Sequence, residues 1–426
     1  MKKILMLSSL SLWNFTKKGL SAKTAGNQTF YNTLKGYSEN GVRVIVLTFN
    51  DIPENPEVFP GVTMKKSYIF SLINFFIKIL RFVKHQIKKV KKSEQELEIT
   101  KDIKKTGSKR LHYICSVLGV IEGLFISIFF KPDVYYGYEV YCTIPASILS
   151  KLFKKPIVTR FQGTELGFLL EDEKKFQEAK YLIKGTKVNS DLAIMANDGT
   201  DGDKVLKKLG IDQSVIRFWS NGLHNKEYIL NMEEDKDYRI KMGLSDNTFI
   251  ICTANRFVDW KRIDRIINVI HELNNNNVDV CLIAIGDGSE KKALEQLVEV
   301  KRINNVIFTG ALEHKETIYH ISNCDLYITL NHSGNLGNSI YEALALGKVI
   351  ATIRNDSVER VLKSGYNSIL FDTTDLKEIA YQISNLILDC ETQKILKQNA
   401  KEYAEKCLLS WEDRMKLEVT EVNKLN

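Results

Sequence analysis

Apolar residues along this chain fall in short unbroken runs separated by stretches with helical spacing. Ile4 to Leu7 is the first run; a loop spans Lys17 to Gly26, a helix-like stretch covers Asn27 to Asn40, and Val42 to Thr48 is apolar again. Continuous apolar runs of this length are how strands read when a parallel sheet is covered on both faces. The opening Met1-Lys2-Lys3 and its apolar sequel also have the layout of a secretory signal, but the strand, helix, strand order that follows favours a buried first strand. The alternation continues with candidate strands at Val134 to Tyr136, Ile157 to Arg160, Leu192 to Ala196 and Val215 to Trp219. A second series then begins, at Phe249 to Ala254, Val278 to Ile285, Val306 to Thr309, Asp325 to Leu330, Val349 to Ile353 and Ile369 to Phe371. Helical stretches near 261–273, 289–302, 338–346 and 375–389 separate these strands.

This rhythm predicts an α/β protein of two Rossmann-like, doubly wound parallel-sheet domains facing a cleft. The first covers residues 1–220 and the second 248–405. Ser220-Asn221-Gly222 is a turn signal, and the polar stretch 221–247 reads as the connection. The charged tail, with Trp411 as an apolar anchor, reads as a helix over 406–426 packing back on the first domain.

Composition agrees with a packed globular enzyme-sized chain: 426 residues, 44% hydrophobic, only 6 prolines. Its seven cysteines include no C-x-x-C pair, so neither a disulfide framework nor a zinc knuckle is indicated, and a reducing cytoplasm fits. The net charge of +8 is local. Residues 65–110 hold 14 Lys/Arg against 4 Asp/Glu, a net of +10, which leaves −2 for the remainder. That distribution argues for one anionic partner at one place and against a general nucleic-acid binder. On a helical wheel, Lys78, Arg81, Lys84, Lys88 and Lys89 share one half, with Leu72, Phe75, Phe76 and Ile79 on the other. Residues 69–92 therefore read as an amphipathic helix on an anionic membrane surface, interrupted by charge too early to span it. A core helix with a solvated basic face, or an RNA-binding stripe, are the competing readings.

Three segments carry chemistry. Asn255-Arg256-Phe257-Val258-Asp259-Trp260-Lys261 leaves a buried strand and enters a helix, and two cations five residues apart around such a turn can face one anion, a diphosphate above all. Gly286-Asp287-Gly288 is a second strand-to-helix turn, open either to a ligand or to plain tight packing. Ser333-Gly334-Asn335-Leu336-Gly337-Asn338-Ser339 runs into a helix whose N-terminus suits an anion, and Glu342 lies one turn inside it.

Arg-x4-Lys, the Gly-Asp-Gly turn, Val306-Ile-Phe-Thr-Gly310 and the Gly/Asn/Ser loop followed by Glu-Ala-Leu-Ala-x-Gly together resemble the retaining nucleotide-sugar glycosyltransferases of family 4, which have the GT-B fold. The resemblance extends, more weakly, to Gly26-Asn27, to Phe161-Gln162-Gly163 and to Asn221-Gly222. It implies that Arg256 and Lys261 hold the donor diphosphate and that Glu342 binds the ribose. By the same resemblance, Asn335, Gly337, Asn338 and Ser339 touch the phosphates, Gly310 to Leu312 touch the base, Gly286 belongs to the donor site, Gly26 and Asn27 approach the diphosphate, and Gln162 faces the transferred sugar or acceptor. It further implies a nucleoside diphosphate sugar, UDP-linked by default, as substrate and no cofactor. The acceptor would be a glycan or polyprenyl-linked glycan at the inner face of the cell membrane, in assembly of cell-surface polysaccharide or glycoconjugate.

Two positions depart from the family. Its motif has a Glu eight positions before the second Glu; here Gly334 stands there, and no Glu occurs between Glu316 and Glu342. A histidine common in the first-domain turn is Gln162. These departures motivate a rival reading, a non-catalytic partner or chaperone of another transferase; a nucleotide-sugar epimerase ranks below both. Asp201-Gly202-Asp203 resembles the D-x-D of metal-dependent glycosyltransferases, but helix capping suffices for it, and no metal is expected.

Overall fold

The computed structural model describes residues 1–10, 12, 14–16, 19–21, 28–50, 52, 57–73, 75–76, 79, 112–332 and 336–426. The chain forms two compact units. The first gathers Met1–Ala196, Gly202–Trp219 and Trp411–Asn426; the second gathers Asn197–Asp201 and Ser220–Ser410.

The first unit is built on an eight-stranded sheet whose strands are β1 (Lys3–Ser8), β4 (Arg43–Thr48), β5 (Glu57–Phe59), β6 (Val62–Lys66), β7 (Val134–Tyr138), β8 (Ile157–Phe161), β9 (Leu192–Ala196) and β10 (Ile216–Trp219), in the order β10-β9-β8-β7-β1-β4-β6-β5. All pairings are parallel except β5 against β6. A small antiparallel pair, β2 (Asn14–Thr16) and β3 (Gly19–Ser21), occupies part of the stretch expected as loop. The opening apolar run is the strand β1 at the sheet's centre, with Leu5 in register between Ile45 and Tyr135. Ile4 and Met6 enter one core with Phe30 and Tyr136, and Leu5 and Leu7 enter another with Phe49 and Leu149, so both faces of β1 are buried.

The helix Trp411–Asn423 packs in this unit against the helix Gln28–Glu39. Gly36 permits the approach: a Cβ there would stand 2.3 Å from Met415 Cγ. Between them sits a buried polar cluster. Glu418 accepts from Tyr37 Oη at 2.9 Å, Tyr136 Oη at 2.8 Å, Arg160 Nη1 at 2.5 Å and Arg414 Nη1 at 3.3 Å.

The second unit holds a six-stranded parallel sheet of β11 (Phe249–Ala254), β12 (Val280–Ile285), β13 (Val306–Gly310), β14 (Leu326–Thr329), β15 (Val349–Ile353) and β16 (Ile369–Phe371), ordered β13-β12-β11-β14-β15-β16. The stretch 221–247, expected as a connection, belongs to this unit. Leu223, Ile229 and Tyr238 are buried in its core, and short helices form at Lys226–Leu230 and Tyr238–Lys241. Isolated apolar residues in a polar background have no period, which is why the stretch reads as linker. The charged tail divides: Cys390–Cys407 is a helix of the second unit, and the helix of the first unit begins only at Trp411.

Candidate active site

The second unit brings most of the expected residues to the C-terminal edge of its sheet. Strand ends are stitched together there: Asn255 N donates to Ile285 O at 3.0 Å, and Gly286 N to Gly310 O at 2.9 Å. From β11 the chain passes through exposed Arg256, turns at the short helix Asp259–Lys261 and enters the helix Ile263–Asn275. Lys261 is half-buried with its Nζ 4.2 Å from the Trp260 ring centroid. Burial pulls its ammonium down to about 8; Asp198 counters this, and Arg256 adds to it by repulsion. The two cations therefore feel one another, as their spacing predicts, and neither has a carboxylate within 4.0 Å among the described residues.

Asp198 is a member of this site that sequence reasoning missed. It follows β9 of the first unit's sheet but belongs to the second unit. Its carbonyl accepts from Leu336 N at 3.1 Å, and its carboxylate accepts from Thr200 N and Oγ1 at 3.1 and 2.5 Å. Burial pushes this carboxyl up to about 6, against the pull of Thr200 and Lys261. Nothing in its local sequence marks it. Its neighbours are equally anchored in the second unit, with Tyr341 Oη donating to Asn197 O at 3.0 Å and Asn355 Nδ2 to Gly199 O at 2.8 Å. Asp201 accepts from Ser357 N at 3.1 Å, so its carboxylate ties the first turn of the Asp356–Glu359 helix to this segment.

The helix Asn338–Ala345 presents its N-terminus at this edge. Ser339 Oγ lies 2.7 Å from Tyr327 Oη, which donates to it, and Asn338 Oδ1 accepts from Asn221 Nδ2 at 3.3 Å. Gly337 is a glycine that packing among the described residues does not require, since of these a Cβ there would meet only Ser339 Oγ, at 3.8 Å. Glu342 is buried and bonded to His314 Nε2 at 2.8 Å, a contact that raises the histidine's pKa. His314 was not legible beforehand: it is the first residue of the helix His314–Ser322, whose Glu313/Glu316 capping box accounts for the local sequence without pointing to a ligand. Gly310 has φ 77° with open space around its missing side chain, and Leu312 is partly buried against the core.

Gly286 differs. With φ 143° and a hypothetical Cβ 1.8 Å from Asn255 O, its glycine identity follows from packing against the Arg256 loop, and Gly288 likewise faces Phe257 O at 2.2 Å. Gly286→Ala is expected to displace that loop and cost about 1–3 kcal/mol, whereas Gly337→Ala should leave the melting temperature unchanged and weaken only anion binding at the helix N-terminus. Thermal melts with and without nucleoside diphosphate separate the two.

Gln162 lies in the first unit, donating from Nε2 to Tyr138 Oη at 2.7 Å and from its amide to Glu139 Oε1 at 2.9 Å. Gly26, Asn27, Gly334, Asn335, Lys78, Arg81, Lys84, Lys88 and Lys89 lie outside the described residues.

Comparison with known proteins agrees with this architecture. Residues 234–403 match the family model described as glycosyl transferases group 1. An uncharacterized glycosyltransferase of Methanocaldococcus jannaschii is 28% identical over 268 residues, 57% of this chain and 68% of that protein. The N-acetyl-alpha-D-glucosaminyl L-malate synthase of Bacillus anthracis is 24% identical over 62% of this chain and 68% of its own length. Among solved structures, Anabaena HepE in complex with UDP and glucose superposes over 100% of both chains with a TM-score of 0.66 at 16% identity. The fold is GT-B.

Proposed function

We propose that this chain, whose second unit carries a glycosyl transferases group 1 domain on a GT-B fold, transfers a sugar from a UDP-sugar to a hydroxyl of a glycan or lipid-linked acceptor, with retention and without a metal. The reading is carried by one observation: Arg256 and half-buried Lys261 stand together at the C-terminal edge of a parallel sheet with no carboxylate within 4.0 Å among the described residues, Asp198 acting on Lys261 only at longer range. Two cations without a contacting counter-charge in a partly dry site cost free energy that a bound diphosphate repays.

In this reading the Arg256 guanidinium and the Lys261 ammonium bind the two phosphates, and amides at the start of the Asn338–Ala345 helix add the positive end of its dipole. Buried Glu342, oriented by His314, accepts hydrogen bonds from ribose hydroxyls. The bond from the sugar's anomeric carbon to the β-phosphate oxygen breaks, its electron pair staying on that oxygen. The acceptor oxygen attacks the same face of the sugar, and its proton passes to the departing phosphate. No protein base is then needed, so the protein's main task is to stabilise charge on the leaving group. Reaction at the inner face of the membrane, in cell-surface glycoconjugate assembly, is part of the same proposal.

Absence of the family's first glutamate at Gly334 favours the rival, a non-catalytic partner, only if donor binding is also lost, since a partner needs no complete donor site. The test is a thermal-shift screen across nucleoside diphosphates and UDP-sugars, followed by release of UDP with lipid-linked acceptors. UDP is expected to raise the melting temperature by mass action. No shift with any nucleotide would defeat the proposal, and binding without turnover under any acceptor would leave the partner reading in its place.

A further inference from the structure

Two helices of the first unit turn an apolar face outward. In the helix His112–Phe130, Ile114, Leu118, Ile121, Phe125, Ile128 and Phe129 recur at helical spacing and are all exposed, Phe125 by 62% and Phe129 by 84%. Its opposite face is fixed to the protein. Gly119 meets the Phe49 ring and Gly123 meets Leu149, each so closely that a Cβ would come within 2.5 Å. The helix is long and apolar enough to cross a bilayer by composition, but one side is already spent on packing.

Beside it, the helix that starts at Tyr68 repeats the pattern, with Tyr68, Leu72, Phe75, Phe76 and Ile79 exposed. Glu122, the sole acidic residue of the longer helix, joins the two: it accepts from Ser67 Oγ at 3.0 Å and from the amides of Tyr68 and Ile69 at 3.1 and 2.6 Å. Two helices joined at Glu122 thus both present large apolar side chains to the surface, and exposed apolar faces of this kind mark interaction sites.

We infer that this paired apolar face docks on an anionic lipid bilayer, with the His112–Phe130 helix lying in the boundary between headgroups and acyl chains. The membrane side of the function proposed above gives this docking its purpose, but the geometry stands without it. Charge selects the occupant. Exposed Lys131 follows the helix, and Lys151, Lys154 and Lys155 end the neighbouring helix Thr143–Phe153, which packs against it. Lys65 shares a shallow hollow with Ile45, Phe125, Phe129 and Phe130, an apolar trough with one cation, suited to an acyl chain beneath a phosphate. A two-fold dimer through this face would set lysines against lysines, whereas anionic headgroups neutralise them.

The test uses the full chain in flotation assays with vesicles of phosphatidylcholine alone or with phosphatidylglycerol. Wild-type protein should float with the anionic vesicles at low salt, and Phe125→Glu/Phe129→Glu, at exposed positions, should reduce this at least tenfold while UDP binding is unchanged. As a check independent of folding, the indole introduced by Phe125→Trp should be quenched by brominated acyl chains. Undiminished flotation of the double variant, an indole at position 125 that stays unquenched on bound vesicles, or a wild-type dimer that the double variant abolishes in ultracentrifugation would each overturn the inference. UDP binding lost in the wild type, with flotation intact, would instead count against the transferase reading alone.

Discussion

Glu418→Ala is expected to cost about 3–5 kcal/mol in the first unit, because it strips a buried cation of its counter-charge. Glu418 is fully buried, and so are Arg160 and Arg414. Two tyrosine hydroxyls and two guanidinium groups converge on its carboxylate from four different segments of chain. Removal leaves Arg160 in an interior where Nε and Nη2 already have no partner among the described residues. Glu418→Gln keeps an acceptor for the hydroxyls but not the charge, so it should recover only part of the loss. Burial would raise the carboxyl's pKa, yet Arg160 and Arg414 more than reverse this and hold it below the usual range. Its contribution is therefore present at neutral pH and fades as pH falls below the unfolded value toward the folded one. Urea unfolding followed by tryptophan fluorescence reads the effect, since Arg414 lies 4.3 Å from the Trp219 ring centroid and Trp411 opens the same helix as Glu418. Wild-type stability of Glu418→Ala would show that the cluster is energetically neutral.

The second large effect concerns ligand binding. Lys261→Ala should weaken UDP by about 1.5–3 kcal/mol, or roughly 10- to 150-fold. A pH signature distinguishes charge from shape. The Lys261 ammonium sits at about 8, and a bound diphosphate raises it. Affinity is thus full below pH 8 and falls as pH rises through 8, and binding at pH 8.5 takes up a proton. Calorimetry in two buffers of different ionisation enthalpy measures that uptake directly. Lys261→Arg should bind with a flat profile between pH 7 and 9. Asp198, at about 6, adds a smaller rise in affinity below pH 6 as its negative charge disappears, and Asp198→Asn should remove it. Equal wild-type affinity at pH 7 and pH 9 would mean that Lys261 does not contact the phosphates.

How much of this was legible beforehand depends on where the signal lay. Strands such as β1, β11 and β12 announce themselves because both faces are buried, which turns them into unbroken apolar runs. The edge strand β5 and its neighbour β6 were not distinguished, since Glu57, Thr63 and Lys65 interrupt them with polar side chains. Arg256 and Lys261 were readable because they are close in sequence across one turn. Asp198 and His314 were not, because what marks each is its partner across the fold, Lys261 for Asp198 and Glu342 for His314, and that pairing is invisible in local sequence. The outward face of the His112–Phe130 helix was hidden for a related reason: an all-round apolar sequence looks the same whether both of its sides are covered or only one. The basic positions of the amphipathic reading, Lys78 through Lys89, lie outside the described residues, so the apolar half is what the structure adds.

The route of the chain between the two units bears on how the protein is made. Arg160 is translated long before Glu418, and Ser220–Ser410, which builds the second unit, comes between them. At about 5–20 residues per second, those 191 residues keep the nascent first unit waiting for roughly 10–40 s with an uncompensated arginine and the seat of Trp411 and Met415 unfilled. Ribosome-bound chains stopped before residue 411 should therefore hold an N-terminal half that proteases and chaperones still recognise, while the segment after it is already folding.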